Sequence, residues 1–321
     1  MPGINSNEAG KCLVLMVADK QYLLPTLVAA QQIQQNIRDR TTADICIYVT
    51  AAPSEQHASF SAYAESLGIT VKFWNFMDNY KSNLDFSTYV SPSTLGRLLI
   101  ASELPGEYTR ILYVDGDVQL VGDITSMIDF APTPGRLVAA VDSVAACINP
   151  QGDHGKEFSA YAGKLGINSI EEYFNAGILL CDLNTWKSIA QEALHYIATY
   201  PERCKFHDQS ALNAVMQGKW DAMHPKYNYG PIYDEIGVKF SPQFFHFHGP
   251  HKPWARSHPF GDELAAPYDA IRARLPLVDP PSDNGAVRNL GNRRAPATLI
   301  RNALRRRRLG QYLSQTDFVL E

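Results

Sequence analysis

Apolar and polar positions fall into blocks along this chain, and the blocks change period in a regular order. Cys12–Ala18 (CLVLMVA) is an unbroken apolar run, the pattern of a strand covered on both faces. Leu23–Ile37 follows with helical spacing, then a strand at Asp44–Thr50 (DICIYVT), a helix over Pro53–Leu67 and a strand at Thr70–Phe76. A helix is predicted at Ser93–Leu104, with Pro92 before it, and the apolar strand Arg110–Val114 (RILYV) ends abruptly at Asp115. Further strands are predicted at Leu137–Val141 and Gly177–Asp182, helices at Leu183–Tyr200 and Asp208–Gly218, and a short strand at Phe244–Phe247. This alternation predicts an α/β fold with a mostly parallel twisted sheet, whose ligands gather where strands reach their carboxyl ends.

Composition refines the picture at two places. With 321 residues, 45% of them hydrophobic, the chain can bury one large core. Between residues 276 and 296 the composition turns to Pro, Asn, Asp, Gly and Arg, as in a linker. The expected organisation is therefore a short tail over residues 1–10, a catalytic domain over residues 11–275, and a linker with a basic C-terminal segment over residues 276–321. That segment carries Arg288, Arg293, Arg294, Arg301 and Arg305 to Arg308, with no acidic residue between Asp283 and Asp317. Leu299, Ile300, Ala303, Leu304, Tyr312 and Leu313 recur among these arginines at roughly helical spacing. Such a helix would be drawn to anionic lipid, with a plain solvated helix as the alternative.

Net charge and cysteines exclude some classes. A formal charge of −4 gives no support to a nucleic-acid partner. Cys12, Cys46, Cys147, Cys181 and Cys204 are scattered and odd in number, without a CxxC pair, so neither a disulfide framework nor a zinc site is indicated. Residues 1–10 lack a signal-peptide pattern, and no apolar run approaches the roughly 18 residues that span a bilayer. Free thiols in apolar runs fit a reducing compartment, and the cytoplasm is the expected location.

Candidate chemistry begins with Asp115-Gly116-Asp117, which emerges directly from the strand ILYV. Two carboxylates separated by a turn-forming glycine could hold a hard divalent cation that bridges a diphosphate, and Mn²⁺ or Mg²⁺ suits such oxygen ligands. An acidic turn capping a strand is the plain alternative. A haloacid dehalogenase type phosphatase also uses DxD after an apolar strand, but follows it with Gly-Thr, whereas Val118-Gln119 follow here.

The stretch Phe245-His246-Phe247-His248-Gly249-Pro250-His251-Lys252-Pro253-Trp254 is more specific. His246, Gly249 and Lys252-Pro253-Trp254 resemble the HxxGxxKPW motif of glycosyltransferase family 8, the group that contains glycogenin and bacterial lipopolysaccharide galactosyltransferases. The resemblance runs from about residue 12 to 256, through Val17-Ala18-Asp19 with Tyr22, Arg97, Phe174-Asn175-Ala176-Gly177 and Asp208-Gln209. It implies a single GT-A domain, Mn²⁺ (with Mg²⁺ as the alternative), a UDP-glucose or UDP-galactose donor, and retention at the anomeric carbon.

Carried over by motif, Asp115, Asp117 and His246 would bind the metal, with His248 the next candidate. Lys252 would contact the diphosphate, and Gly249 would let the backbone approach it. Ala18 and Asp19 would contact the uracil and Tyr22 would stack on it, although position 21 is Gln where relatives often carry Asn. Arg97, Asp142, Asn175, Ala176, Asp208 and Gln209 occupy the positions that surround the donor hexose. Same-face attack, with Gln209 supporting the transition state, is preferred to a covalent adduct on Asp208, which could also be an ordinary acid in the first turn of a helix. The implied acceptor is a hydroxyl of a glycan or glycolipid of the lipopolysaccharide type. A glycogenin- or galactinol-synthase-like transferase and a non-catalytic nucleotide-sugar-binding protein are the alternatives. A basic C-terminal segment in related lipopolysaccharide transferases places the expected membrane contact on the inner face of the cytoplasmic membrane.

Overall fold

A computed structural model describes residues 10–51, 53–74, 95–238, 240–249, 251–255, 260–275 and 296–321. The expected linker, the start of the helix at Pro92-Ser93 and the strand end at Asn75-Phe76 lie outside the described residues.

The strands are β1 (Cys12–Ala18), β2 (Ala43–Val49), β3 (Ile69–Phe73), β4 (Arg110–Val114), β5 (Val118–Leu120), β6 (Leu137–Val141), β7 (Phe174–Asp182), β8 (Trp220–Ala222) and β9 (Phe244–His246). Seven of them form one sheet in the order β3-β2-β1-β4-β7-β6-β8, and β5 pairs with β9 in a second, small sheet. In the large sheet β7 runs antiparallel to both of its neighbours, β4 and β6, while the remaining pairs are parallel.

The flanking helices are α1 (Leu23–Asn36), α2 (Glu55–Ser66), α3 (Gly96–Leu99), α4 (Thr125–Asp129), α5 (Ser143–Cys147), α6 (Asp153–Lys164), α7 (Leu183–Thr199), α8 (His207–Met216), α9 (Pro231–Ile236), α10 (Asp262–Arg272) and α11 (Pro296–Gln315). The run CLVLMVA shows why the sheet needs cover on both sides. Cys12, Val14, Met16 and Ala18 join the core that includes Leu24 and Leu27 of α1, whereas Leu13 and Leu15 join the core that includes Leu98 of α3 and Trp186 of α7. Fully burying one such side chain contributes about 1.5–3 kcal/mol, so a polar residue anywhere in β1 would be costly.

Three differences from the sequence reading bear on function. The helix predicted up to Leu104 is one α-turn, α3, continued as a 3-10 turn over Ile100–Glu103; Leu104 is extended (ψ 132°), as the residue before Pro105 must be. Strand β7 starts at Phe174, three residues before the predicted Gly177, because the polar side chain of Asn175 is satisfied within the fold and does not break the strand. Because β7 is antiparallel, its first residues lie at the edge where β4 and β6 end, and Asp115 N–H donates to the Gly177 carbonyl (2.8 Å).

The third difference is the C-terminal segment, which packs on the same body despite the break in composition before it. Helix α11 lies against α5 and α9 and buries Leu309 and Tyr312. Beyond it, Val319 N–H donates to the Ala222 carbonyl (2.9 Å), His224 N–H donates to the Leu320 carbonyl (2.8 Å), and Leu320 enters the core. All five cysteines are buried free thiols, and among the described residues no helix is long and apolar enough to cross a membrane.

His224 links this docking to pH. Its ring lies 5.1 Å from that of Phe318 and 4.8 Å from that of Phe240, and its Nδ1 accepts from Lys226 N–H (3.1 Å). Burial, aided by Lys226, pushes its pKa down to about 4. The unfolded chain takes up a proton near the ordinary value of 6.5, while the folded chain resists until about 4, so stability falls as pH drops through that window. Melting temperatures recorded from pH 6.5 to pH 4 should fall less steeply in His224→Phe than in the parent chain.

Candidate active site

At the carboxyl edge of β4 the chain leaves the large sheet as Asp115-Gly116-Asp117 and enters β5 at once. Pairing of β5 with β9 sets Val118 opposite His246, and Phe247 N–H donates to the Asp117 carbonyl (2.9 Å). Two segments 130 positions apart in the numbering thus meet backbone to backbone. Ligand atoms of Asp115, Asp117 and His246 all lie within 4.8 Å of one another. His246 Nε2 is 3.3 Å from Asp117 Oδ1 and 4.0 Å from Asp115 Oδ2. Two carboxylates and one imidazole are a donor set that fits a divalent cation of the Mn²⁺ or Mg²⁺ class.

The histidine is held from behind. His246 Nδ1 lies 2.8 Å from Asn228 Oδ1, and Asn228 Nδ2 donates to Asn175 Oδ1 (2.9 Å), which also accepts from Gly177 N–H (2.9 Å). With Asn228 Nδ2 donating elsewhere, its Oδ1 accepts, so the imidazole carries its proton on Nδ1 and turns Nε2 toward the carboxylates. Gly177 lets the ring approach: a Cβ there would sit 2.2 Å from His246 Cε1. Asn228 has no motif around it and was not among the candidates read from the sequence.

The two carboxylates differ in their partners. Lys252 Nζ donates to Asp117 Oδ2 (2.6 Å) and to the Phe247 carbonyl (2.7 Å). Burial opposes ionisation of Asp117, but Lys252 and then His246 outweigh it and hold the carboxyl well below the usual range. Asp115 is paired with Arg97 (2.9 Å) and accepts from Tyr113 O–H (2.6 Å); burial and the neighbouring Asp117 nevertheless push its pKa up. Burial also works against the Lys252 ammonium, and Asp117 more than offsets it, so its pKa is raised.

Arg97 joins the groups behind Asp115. Its Nε pairs with Asp208 (2.7 Å), its Nη1 donates to the Ala176 carbonyl (2.5 Å), and its guanidinium lies 4.3 Å from the centre of the Tyr113 ring. Asp208 does occupy the first turn of α8, but it is buried rather than a solvated helix acid, and burial raises its pKa against the pull of Arg97. Gln209 Oε1 accepts from Ala176 N–H (3.0 Å). His207, just before them, has a φ of +52°, a left-handed backbone that costs a non-glycine residue about 1–3 kcal/mol. Asp142 follows β6, caps α5 through Val144 N–H (3.0 Å), and lies 3.4 Å from Asn175 Nδ2.

At the end of β1, Ala18 is buried and Asp19 Oδ1 accepts from Gln21 N–H (2.8 Å) and Tyr22 N–H (3.0 Å), which turns the chain into α1. The Tyr22 ring meets Trp254 edge to face, with centroids 6.1 Å apart, and Lys252 Nζ lies 5.6 Å from the Trp254 centroid. Gly249, at φ +97° with open space around it, turns the chain between β9 and Lys252. His248 points elsewhere: its Nε2 is 3.1 Å from Ser143 Oγ. His246 is therefore the one histidine of this stretch in the carboxylate cluster, and His251 stands outside it.

The mostly parallel sheet, with carboxylates and an imidazole at its carboxyl edge, is the arrangement of the GT-A fold. Residues 13–258 match the profile of glycosyl transferase family 8, and the chain belongs to that family. The general stress protein A of Bacillus subtilis is 24% identical over 218 residues, 61% of this chain and 71% of that protein. The lipopolysaccharide 1,3-galactosyltransferase of Salmonella typhimurium is 23% identical over 260 residues, 77% of this chain and 74% of that one. The chain spans about half the length of two other bacterial relatives. Among solved structures, galactosyltransferase LgtC in complex with donor and acceptor sugar analogs superposes with a TM-score of 0.64 at 22% identity, covering 83% of this chain and 97% of that one.

The tether from Asn228 gives a direct test. Outer partners of metal-bound histidines typically tune affinity by about 10- to 100-fold. Asn228→Ala should weaken Mn²⁺ binding by that factor in a titration followed by electron paramagnetic resonance, and unchanged affinity would show that this tether does not support a metal ligand.

Proposed function

We propose that this chain transfers a hexose, galactose or glucose, from a UDP conjugate to a hydroxyl of a glycan or glycolipid with Mn²⁺, retaining the anomeric configuration. The observation that carries this reading is the meeting of Asp115, Asp117 and His246 within 4.8 Å, with Lys252 against the same Asp117. A divalent cation bound there would supply Lewis-acid stabilisation of a departing diphosphate. Lys252, fixed by Asp117 and the Phe247 carbonyl, sets a second positive charge beside that position. Gly249 presents open backbone next to it. Tyr22, just after Ala18 and Asp19, lies within electrostatic reach of the same lysine and offers an aromatic surface for a flat base.

The hexose would lie over Asp142, Asn175, Ala176 and Gln209, with Arg97 and Asp208 beneath. Retention by double displacement needs a carboxylate free to attack, whereas the Asp208 carboxylate is buried and held by Arg97 at 2.7 Å. This favours same-face attack, in which the leaving diphosphate takes the acceptor proton and the Gln209 amide oxygen, already oriented by Ala176 N–H, faces the cationic transition state. The lipopolysaccharide 1,3-galactosyltransferase among the relatives supports an acceptor of that type.

We propose in addition that α11 contacts anionic membrane, at the inner face of the cytoplasmic membrane. Leu299, Ile300 and Leu304 are 54%, 63% and 55% exposed among arginines. Truncation would be a poor test because Leu309, Tyr312 and Leu320 are buried. Co-sedimentation of the parent chain with vesicles containing phosphatidylglycerol, and loss of that binding in Ile300→Ser/Leu304→Ser, is the expected result; equal sedimentation of both would exclude the contact.

The transfer itself is tested with a panel of nucleotide sugars, with Mn²⁺ and with chelator, following binding and slow donor hydrolysis. Metal-dependent turnover of one UDP-hexose is expected, falling by about 10²–10³-fold in Asp117→Asn, as when a charge-stabilising group is removed from a preorganised site. No binding to any UDP-sugar would overturn the assignment.

A further inference from the structure

A cleft of about 900 Å³ lies between α11 and the loop that links α5 to α6. Ile148, Gln151 and Gly152 line one side, and Arg301, Leu304 and Arg305 line the other. The arginines of α11 divide by role. Arg306 donates to the Ile236 carbonyl (2.6 Å) and Arg308 pairs with Glu171. Arg301, Arg305 and Arg307 all border the cleft and have no acidic partner among the described residues. The opposing wall adds one carboxylate, Asp153, in the first turn of α6. The cleft thus holds a surplus of guanidinium groups, whose planar forks match phosphate oxygens.

Its position relative to the donor site follows from α5. Asp142 caps the start of that helix and touches Asn175; Cys147 ends the helix and lines the cleft. Five residues of helix rise by roughly 8 Å. Buried Cys147 lies within electrostatic reach of Asp142 on one side and Arg305 on the other.

We infer that the acceptor is phosphorylated and that this cleft binds its phosphate while the acceptor hydroxyl reaches the hexose beside Asp142. The inference rests on the hexosyl-transfer reading and names its acceptor class. A phosphomonoester brings between one and two negative charges to the three arginines that border the cleft.

Glucose 6-phosphate serves as a soluble probe, titrated calorimetrically against the full chain, with glucose as the control. Saturable binding is expected for the phosphate ester and none for glucose. Arg301→Ala/Arg305→Ala should weaken it by about tenfold or more, Arg305→Lys by less, and Lys252→Ala should leave it intact. Binding lost in Lys252→Ala but kept in the arginine variant would place the phosphate at the donor site and overturn the inference, as would no binding at all. Metal-dependent hydrolysis of UDP-hexose is measured alongside. Its absence from the parent chain sinks the transferase reading whatever the cleft binds, whereas hydrolysis without phosphate binding sinks the cleft alone.

Discussion

One buried guanidinium ties the catalytic edge together. Arg97 comes from α3, and it reaches Asp115 after β4, the Ala176 carbonyl in β7 and Asp208 at the start of α8. Four elements meet at one side chain, each through a charge or a carbonyl that would otherwise be buried without a cation. Such a network contributes little net stability, because desolvating the ions offsets much of their attraction. Its effect is on geometry: removing the arginine would leave two carboxylates facing one another in a poorly solvated space, and the cheapest response would be for α8 and the Asp115 turn to separate.

The antiparallel strand β7 makes that junction possible. Had β7 been parallel, Phe174-Asn175-Ala176-Gly177 would lie at the far edge of the sheet from the carboxylates. Running the other way, it places the Ala176 carbonyl under Arg97, the Ala176 N–H on Gln209, and Asn175 in the chain of amides that orients His246. Asp115 and Asp117 then acquire different partners two residues apart, one a guanidinium fixed by the protein and the other a lysine beside open backbone. The first ties Asp115 to the scaffold through a buried network, and the second holds Asp117 through a single lysine.

This division also explains what was legible beforehand. Continuous apolar runs such as CLVLMVA and RILYV announce buried strands. Asp115-Gly116-Asp117, with His246 and Lys252 named through a resemblance rather than through local spacing, marks a candidate cation site whose members the fold brings together. Asn228 and His207 were not legible. Neither belongs to a local pattern: Asn228 acts only because β9 lies beside it, and His207 only through a backbone angle. Short pairings such as β5 with β9 depend on segments far apart in the chain, which periodicity cannot report. Arg97 was named only through the resemblance, and its place as the junction of two carboxylates emerges from the folded geometry.

For the C-terminal segment, composition was clear but silent on placement. Arginine-rich, proline-bounded sequence reads as a separate tail, yet two buried residues of α11, Leu309 and Tyr312, together with the backbone hydrogen bonds of Val319 and Leu320, dock it on the domain. Docking changes what its charges mean. On a free helix, all the arginines would be equivalent and screened within a Debye length of about 8–10 Å. Fixed against α5 and α9, Arg306 and Arg308 face protein groups and are committed to them, while Arg301, Arg305 and Arg307 border a concave space one short helix away from Asp142. A segment whose composition suggests only a general attraction to anions thus becomes, through two buried side chains, one wall of a cleft with fixed guanidinium positions.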